Sequence, residues 1–377
     1  MTNSGIHGLH WYPASFVSAI PGTIIPHLTQ KGDLVADPFM GCGTTGVEAV
    51  RLGRRFWGAD TNPVAVMIAE CKLAVPDVRA MVREQQRILG ALERSRRYPL
   101  QLRLNNAVAT GWYERRTLLE LQFLYEYILE CKTTEMQKLL FMTFSGVLRD
   151  CTSQRKHWGW ICDNVAPKEL RYVDGISHFF EAWSRNQVAF ERYFRDARVF
   201  SPGVSAQALR GRAELRLGDA VQEMAKLEAS SVDCIITSPP YFGVADYVKS
   251  QRLTFHWVAP GDLAWFGGDW SMFEALRRSE IGSRSYRHRG PAYPDYIRYM
   301  AQFFKQVVRA LRSGGSLALV FGASRRRTSP MNDVVASASN AGLVSMFEVS
   351  RVIPENRRRL RGQVPSERIM IFRKAAS

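Results

Sequence analysis

The chain is poor in cysteine and poor in acid. Its six cysteines (Cys42, Cys71, Cys131, Cys151, Cys162 and Cys234) are scattered, and none forms a Cys-x-x-Cys pair. That pattern excludes a disulfide framework and points to a reduced, cytosolic setting. Cys151, His157 and Cys162 fit no common zinc spacing, so no metal is expected. No apolar run approaches the roughly 20 residues needed to span a bilayer. The start, Met1-Thr2-Asn3-Ser4-Gly5, lacks the basic-then-apolar pattern of a leader. No Pro-Cys pair is present, which excludes that nucleophile motif.

Acidic residues number 35 against 51 Lys and Arg, giving a net charge of +16 and a pI near 9.8. Such an excess favours a polyanionic partner, nucleic acid first. It is partly clustered: Arg325-Arg326-Arg327, Arg357-Arg358-Arg359 with Arg361, and Arg277, Arg278, Arg284, Arg287 and Arg289. Otherwise 46% hydrophobic and 23% charged residues over 377 positions describe an ordinary folded protein of one large or two smaller domains.

What is present begins with Thr237-Ser238-Pro239-Pro240-Tyr241 after the apolar run Val232-Asp233-Cys234-Ile235-Ile236. The run reads as a buried strand. Each proline fixes φ near −65° and removes a donor, so the chain turns rigidly there. A hydroxyl, an aromatic ring and carbonyls without sequential partners meet at that turn, a setting for a flat group that donates hydrogen bonds. The alternative for the turn is plain strand-to-loop packing.

Asp33 to Asp37 reads as a short strand, Gly41-Cys42-Gly43-Thr44-Thr45-Gly46 as a turn, Val47 to Leu52 as a helix, and Arg55 to Asp60 as a second strand. The glycines spell G-x-G-x-x-G, with an acid, Asp60, about 20 residues on, which makes a dinucleotide enzyme a competitor. Asp37-Pro38-Phe39 pulls the other way, because a carboxylate at the strand end suits a cationic ligand better than a diphosphate. A helix is expected from Phe16 to Leu28. Residues 63–198 show helical periodicity, with Leu118, Leu121, Leu124, Tyr125 and Ile128 forming a core-facing stripe. A linker follows at Ser201-Pro202-Gly203. Then come a strand at Leu215-Arg216-Leu217 and a helix from Ala220 to Leu227. Residues 261–295 look loop-rich. A helix from Tyr296 to Leu311, a strand at Leu317 to Phe321 and an antiparallel pair, Leu343 to Val352 with Arg368 to Phe372, complete the chain. The alternation predicts a mostly parallel α/β sheet with helices on both faces.

These segments resemble the S-adenosylmethionine-dependent DNA amino-methyltransferases, which modify N4 of cytosine or N6 of adenine. The resemblance rests on His10-Trp11-Tyr12-Pro13-Ala14-Ser15-Phe16, Asp37-Pro38-Phe39-Met40-Gly41-Cys42-Gly43-Thr44-Thr45, Phe56-Trp57-Gly58-Ala59-Asp60, Gly218-Asp219-Ala220 and Thr237 to Tyr241. It implies a Rossmann-like methyltransferase fold, with a mostly parallel sheet and an antiparallel closing strand. The catalytic domain would comprise 1–62 and 206–377, and 63–205 would be a helical insertion serving target recognition or DNA binding. S-adenosyl-L-methionine is the implied cofactor. Tyr12 would enclose its methionine part; Asp37, Phe39, Gly41, Gly43 and Thr44 would line its loop; Asp60 would bind the ribose; and Asp219 would reach the adenine region. Ser238, Pro239, Pro240 and Tyr241 would form the catalytic turn, with Tyr241 stacking on a flipped base. Serine at the first position of that turn goes more often with cytosine N4 in the family. Double-stranded DNA and a cognate restriction endonuclease are the implied partners, with Arg284, Arg287, His288 and Arg289 as DNA contacts. Methylation of adenine N6, RNA or a protein glutamine, and a catalytically silent DNA-binding subunit of a defence complex, are the alternatives.

Overall fold

The computed structural model describes residues 5–13, 17–95, 101–102, 111–154, 167–323, 330–352 and 366–375. His157, Cys162, Arg325 to Arg327, Arg357 to Arg359 and Arg361 lie outside the described residues.

Seven strands form one sheet in the order β3-β2-β1-β4-β5-β7-β6. They are β1 (Leu34–Asp37), β2 (Arg55–Asp60), β3 (Ala213–Leu217), β4 (Val232–Thr237), β5 (Leu311–Ala323), β6 (Leu343–Val352) and β7 (Ser366–Lys374). The first five run parallel, and β7 lies antiparallel between β5 and β6. The closing antiparallel pair expected from the sequence is β6 with β7.

The central strands read as continuous apolar runs because both faces are covered. Side chains alternate between two cores with the strand's period of two. Val35, Phe56, Cys234, Ile236 and Ala318 enter one hydrophobic cluster. Ala36, Trp57, Ile235, Leu317 and Leu319 enter the other.

The first core is shared with the long helical stretch. Helices α1 (Ala19–Leu28), α2 (Thr44–Arg51), α3 (Pro63–Leu73), α4 (Val78–Ser95), α5 (Arg115–Leu129), α6 (Thr134–Leu148) and α7 (Gly175–Phe200) precede β3. The stripe on α5 is buried at Leu118, Leu121, Leu124, Tyr125 and Ile128, in one cluster with Val47 and Phe56. The helical stretch therefore packs directly on the sheet layer. Tyr193 on α7 donates to the Val47 carbonyl at 3.3 Å, and Lys31 reaches the Phe200 carbonyl at 2.7 Å.

The remaining helices are α8 (Ala206–Arg210), α9 (Ala220–Ala225), α10 (Arg252–Trp257), α11 (Phe273–Ser279), α12 (Ala292–Ala310) and α13 (Met331–Asn340). Met224, Phe303, Phe304, Val307 and Val334 close the second core. Several boundaries differ from the sequence reading. Helix α1 begins at Ala19, α12 begins at Ala292, and β5 runs through Ser313-Gly314-Gly315. Residues 261–295 hold α11 and short 3-10 turns as well as loop. No helix among the described residues is long and apolar enough to cross a membrane.

Candidate active site

The strand order reverses between β1 and β4, and the carboxyl ends of the strands open into a cleft there, as expected for open α/β sheets. The cleft encloses roughly 930 Å³, part of it open to solvent. Phe39 and Gly41 follow β1, Asp60 ends β2 and Asn62 follows it, Gly218 to Ala220 follow β3, and Ser238 and Pro240 follow β4; all of them line it.

The glycine turn is held by sterics and by an acid. Gly43 caps α2 with φ at 77°, and a Cβ there would lie 2.8 Å from the Ala69 Cβ. A Cβ on Gly46 would lie 2.6 Å from the Phe56 ring. Only glycine fits either position, so α2 packs tightly on β2 and α3. Asp60 accepts from Gly41 N at 3.0 Å and Asn62 N at 2.8 Å. Burial nonetheless pushes its carboxyl up to about 6. Beneath the turn, the buried Lys72 donates to the Cys42 carbonyl at 2.9 Å.

Asp37 does not line the cleft. Its carboxyl is buried and accepts from the hydroxyls of Thr45 at 2.7 Å and Thr237 at 2.6 Å, and from Phe39 N at 3.2 Å. It clasps the ends of β1 and β4 together. Burial pushes it up to about 7, against the pull of those hydrogen bonds. The cationic partner expected for Asp37 therefore has no access to it. Gly43 and Pro239 also sit behind the surface, while Thr44 reaches it.

Tyr12 lines the cleft on a segment anchored by His10, whose Nε2 lies 2.9 Å from Ser145 Oγ on α6. Ser145 in turn bonds Thr254 on α10 at 2.6 Å. The helical stretch thus positions the amino-terminal motif. Asp219 lines the cleft, but its carboxyl is engaged: it caps α9 through Val221 N and Gln222 N and accepts from Tyr299 Oη at 2.7 Å. Phe39 packs 5.0 Å from Phe303 and 6.4 Å from Tyr299, ring centre to ring centre.

At the catalytic turn Ser238 is half-buried and faces the cleft. Its Oγ lies 2.9 Å from Tyr241 Oη. Tyr241 is buried, its ring 5.0 Å from that of Phe321, and it is absent from the cleft lining. The proline-fixed turn directs this ring into the core, so the base-stacking position expected of it is not formed. Tyr296 donates to the Pro240 carbonyl at 3.0 Å and braces the turn.

Sequence reasoning missed Tyr247, Glu280 and Tyr299, all in the lining. They come from loops and from α12, and no local motif marks them. Of the basic loop, His288 and Arg289 are exposed, whereas Arg284 and Arg287 are half-buried. Arg287 donates to the Arg284 carbonyl, and Arg289 stacks 4.3 Å from the Tyr286 ring centre.

The sheet order, the glycine turn after β1 and the acid closing β2 define a Rossmann-like methyltransferase architecture. Residues 2–70 match the N6/N4 family model described as DNA methylase. Among curated relatives, the type II methyltransferase M.MvaI of Kocuria varians is 22% identical over 67% of this chain and 57% of its own length. M.BsoBI of Geobacillus stearothermophilus is 21% identical over 74% of this chain and 56% of its own. M2.DpnII of Streptococcus pneumoniae is 52% identical over a shorter match, 13% of this chain and 19% of its own. These matches make the chain similar to the N6/N4 DNA methylases, the family its motifs resemble. It spans little more than half the length of M.MvaI and of M.BsoBI.

Proposed function

We propose that this chain transfers a methyl group from S-adenosylmethionine to the exocyclic amine of a base flipped out of double-stranded DNA, with N4 of cytosine the favoured target. The observation that carries the reading is the make-up of the cleft. It joins the Ser-Pro-Pro turn to a lining that, among the described residues, holds Asp60, Asp219 and Glu280 and no lysine or arginine. A dinucleotide's pyrophosphate would meet carboxyl groups there and no basic side chain, whereas a cationic ligand without phosphates fits.

The residues suit the cofactor. Asp60 would hold the ribose hydroxyls, with Gly41 N keeping its carboxyl in place. Tyr12, Phe39 and Tyr299 offer apolar faces to the ligand. Asp219, engaged by its cap and by Tyr299, shapes the adenine end and leaves direct contact to its neighbours Gly218 and Ala220. When bound, S-adenosylmethionine supplies an electrophilic methyl group.

An exocyclic base amine is a weak nucleophile because its lone pair is delocalised into the ring. The Ser238 hydroxyl, which faces the cleft, accepts one of its hydrogens. The second acceptor is the Pro239 carbonyl, which lies behind the surface in the free protein and is reached only when a base enters the turn. Accepting both favours a more tetrahedral nitrogen with a localised lone pair. Tyr241 orients the Ser238 hydroxyl, and Tyr296 keeps the turn rigid. Rate enhancement then comes chiefly from positioning. Extruding the base costs a few kcal/mol, and basic side chains outside the cleft hold the flanking phosphates. The helical stretch 63–205 and the segment 261–295 are the two candidates for reading the target. A cognate endonuclease would account for a type II setting like that of the relatives.

Nucleotide-resolution methylation sequencing of DNA from cells expressing the chain tests the reading. A new N4-methylcytosine mark in one sequence context is the expected result. A mark at adenine N6 would keep the chemistry and correct the base. No mark, together with transfer of labelled methyl to RNA or to protein instead, would overturn it.

A further inference from the structure

Glu280 belongs to the stretch the sequence marks only as loop-rich, yet it reaches the cleft. A two-stranded clasp carries it there. Gly243 N donates to Gly282 O at 2.7 Å, and Arg284 N donates to Ala245 O at 3.1 Å. Asp246 tightens the pairing, accepting from Ser283 Oγ at 2.6 Å and from Ser285 N at 2.8 Å and Oγ at 2.9 Å. At the open end, Glu280 accepts from Tyr247 N at 2.6 Å and Val248 N at 3.4 Å. The clasp therefore fixes a carboxyl from one loop against the loop that follows the catalytic turn.

The titratable groups facing Glu280 are Asp60 at the end of β2, Asp246 and Tyr247 on the opposing loop, and Tyr12 on the amino-terminal segment. Among the described residues, no lysine or arginine lines the cleft beside it. Asp37, the acid placed by sequence to meet a cation, is sealed behind its two threonines. Of the three acids in the lining, Asp219 is taken up by its cap and by Tyr299, and Asp60 holds the glycine turn and is the residue proposed for the ribose, which leaves Glu280.

We propose that Glu280 is a cofactor-binding residue whose carboxylate receives the cationic methionine half of S-adenosylmethionine. The proposal rests on the methyltransferase reading given above. It predicts a proton linkage. Burial, then the charges of Asp246 and Asp60, push the Glu280 carboxyl up to about 8 against the pull of the two backbone donors. The free protein thus holds a proton there at neutral pH. A cation beside it favours the ionised form, so binding expels that proton.

Calorimetric titration of the full chain with S-adenosylmethionine near neutral pH, in two buffers of different ionisation enthalpy, reads both affinity and proton release. The wild type is expected to release a large part of one proton. Glu280→Gln keeps an acceptor for Tyr247 N; it should bind about tenfold or more weakly, close to 1.4 kcal/mol, and lose that release. Unchanged affinity and release in the variant overturn the proposal. So does weaker binding with unchanged release, which is what a loop-holding role alone would give. No binding by the wild type overturns the methyltransferase reading instead. Should the variant fail to fold, the wild type decides: release that persists at pH 7 and fades above about 8 follows Glu280, whereas release confined below about 6 belongs to Asp60 and overturns the proposal.

Discussion

Asp37 and Asp60 close adjacent parallel strands, yet only Asp60 can meet a ligand. The difference lies in the neighbours: Thr45 and Thr237 cover Asp37, while Asp60 takes only backbone donors and keeps a face to the cleft. A folded-state carboxyl near 7, against an ordinary value of 3.8, means that the folded chain binds this proton more tightly than the unfolded chain. Its contribution to stability is full below about pH 4 and is lost as pH rises through about 7. Asp37→Asn removes the titration, so its thermal midpoint should decline less than that of the wild type between pH 5 and pH 8; parallel declines would show that Asp37 does not set the slope. Ser238 gives the sharper catalytic test. Ser238→Ala should cut methyl transfer by roughly 100-fold or more, about 3 kcal/mol of transition-state stabilisation, with cofactor affinity retained. Tyr241→Phe leaves the ring against Phe321 and removes only the hydroxyl on Ser238. It should lower turnover by about tenfold or less, roughly 1 kcal/mol for one hydrogen bond. Wild-type turnover in both variants would remove the turn from the mechanism.

The glycine turn shows how much local sequence can specify. Gly43→Ala would put a Cβ 2.8 Å from Ala69 at a φ of 77°. The expected cost is about 1–3 kcal/mol, readable as a lower denaturation midpoint with an unchanged denaturant slope; stability equal to wild type would mean that α2 and α3 do not pack as tightly as the contact requires. This turn was legible because its glycines, its flanking strands and Asp60 all lie within one βαβ unit. The same holds for β4, whose apolar run and prolines are contiguous, and for the α5 stripe, which periodicity alone reveals. What escaped the sequence is what depends on distant pairings. Glu280 enters the cleft only because Gly243 meets Gly282 and Asp246 meets Ser283. Tyr241 turns into the core only because β5 brings Phe321 beside it. Helix ends shifted for a related reason: α12 starts four residues ahead of Tyr296, where Tyr293 bonds Asp333 on α13, a contact no local pattern encodes.

The net charge of +16 and the acid-lined cleft divide the molecule's electrostatics. Among the described lysines and arginines only Lys72 and Arg54 are buried, and the others reach the surface, where a duplex would lie. The clasp then joins the two functions physically, because the segment that delivers Glu280 continues through Ser285 into Tyr286, Arg287, His288 and Arg289. Arg284 and Arg287 are half-buried and bonded to one another through the Arg284 carbonyl, so they build this loop. Arg289 is exposed and stacked on Tyr286, which holds its guanidinium outward at low entropic cost. One phosphate contact contributes about 0.9 to the slope of log affinity against log salt. Arg289→Ala should therefore lower that slope by about this amount, weaken duplex binding to a similar degree across unrelated sequences, and leave S-adenosylmethionine affinity unchanged. Fluorescence anisotropy over a salt series measures the first two effects, and calorimetry without DNA measures the third. A slope equal to that of the wild type would place the duplex elsewhere on the basic surface and detach this loop from DNA binding.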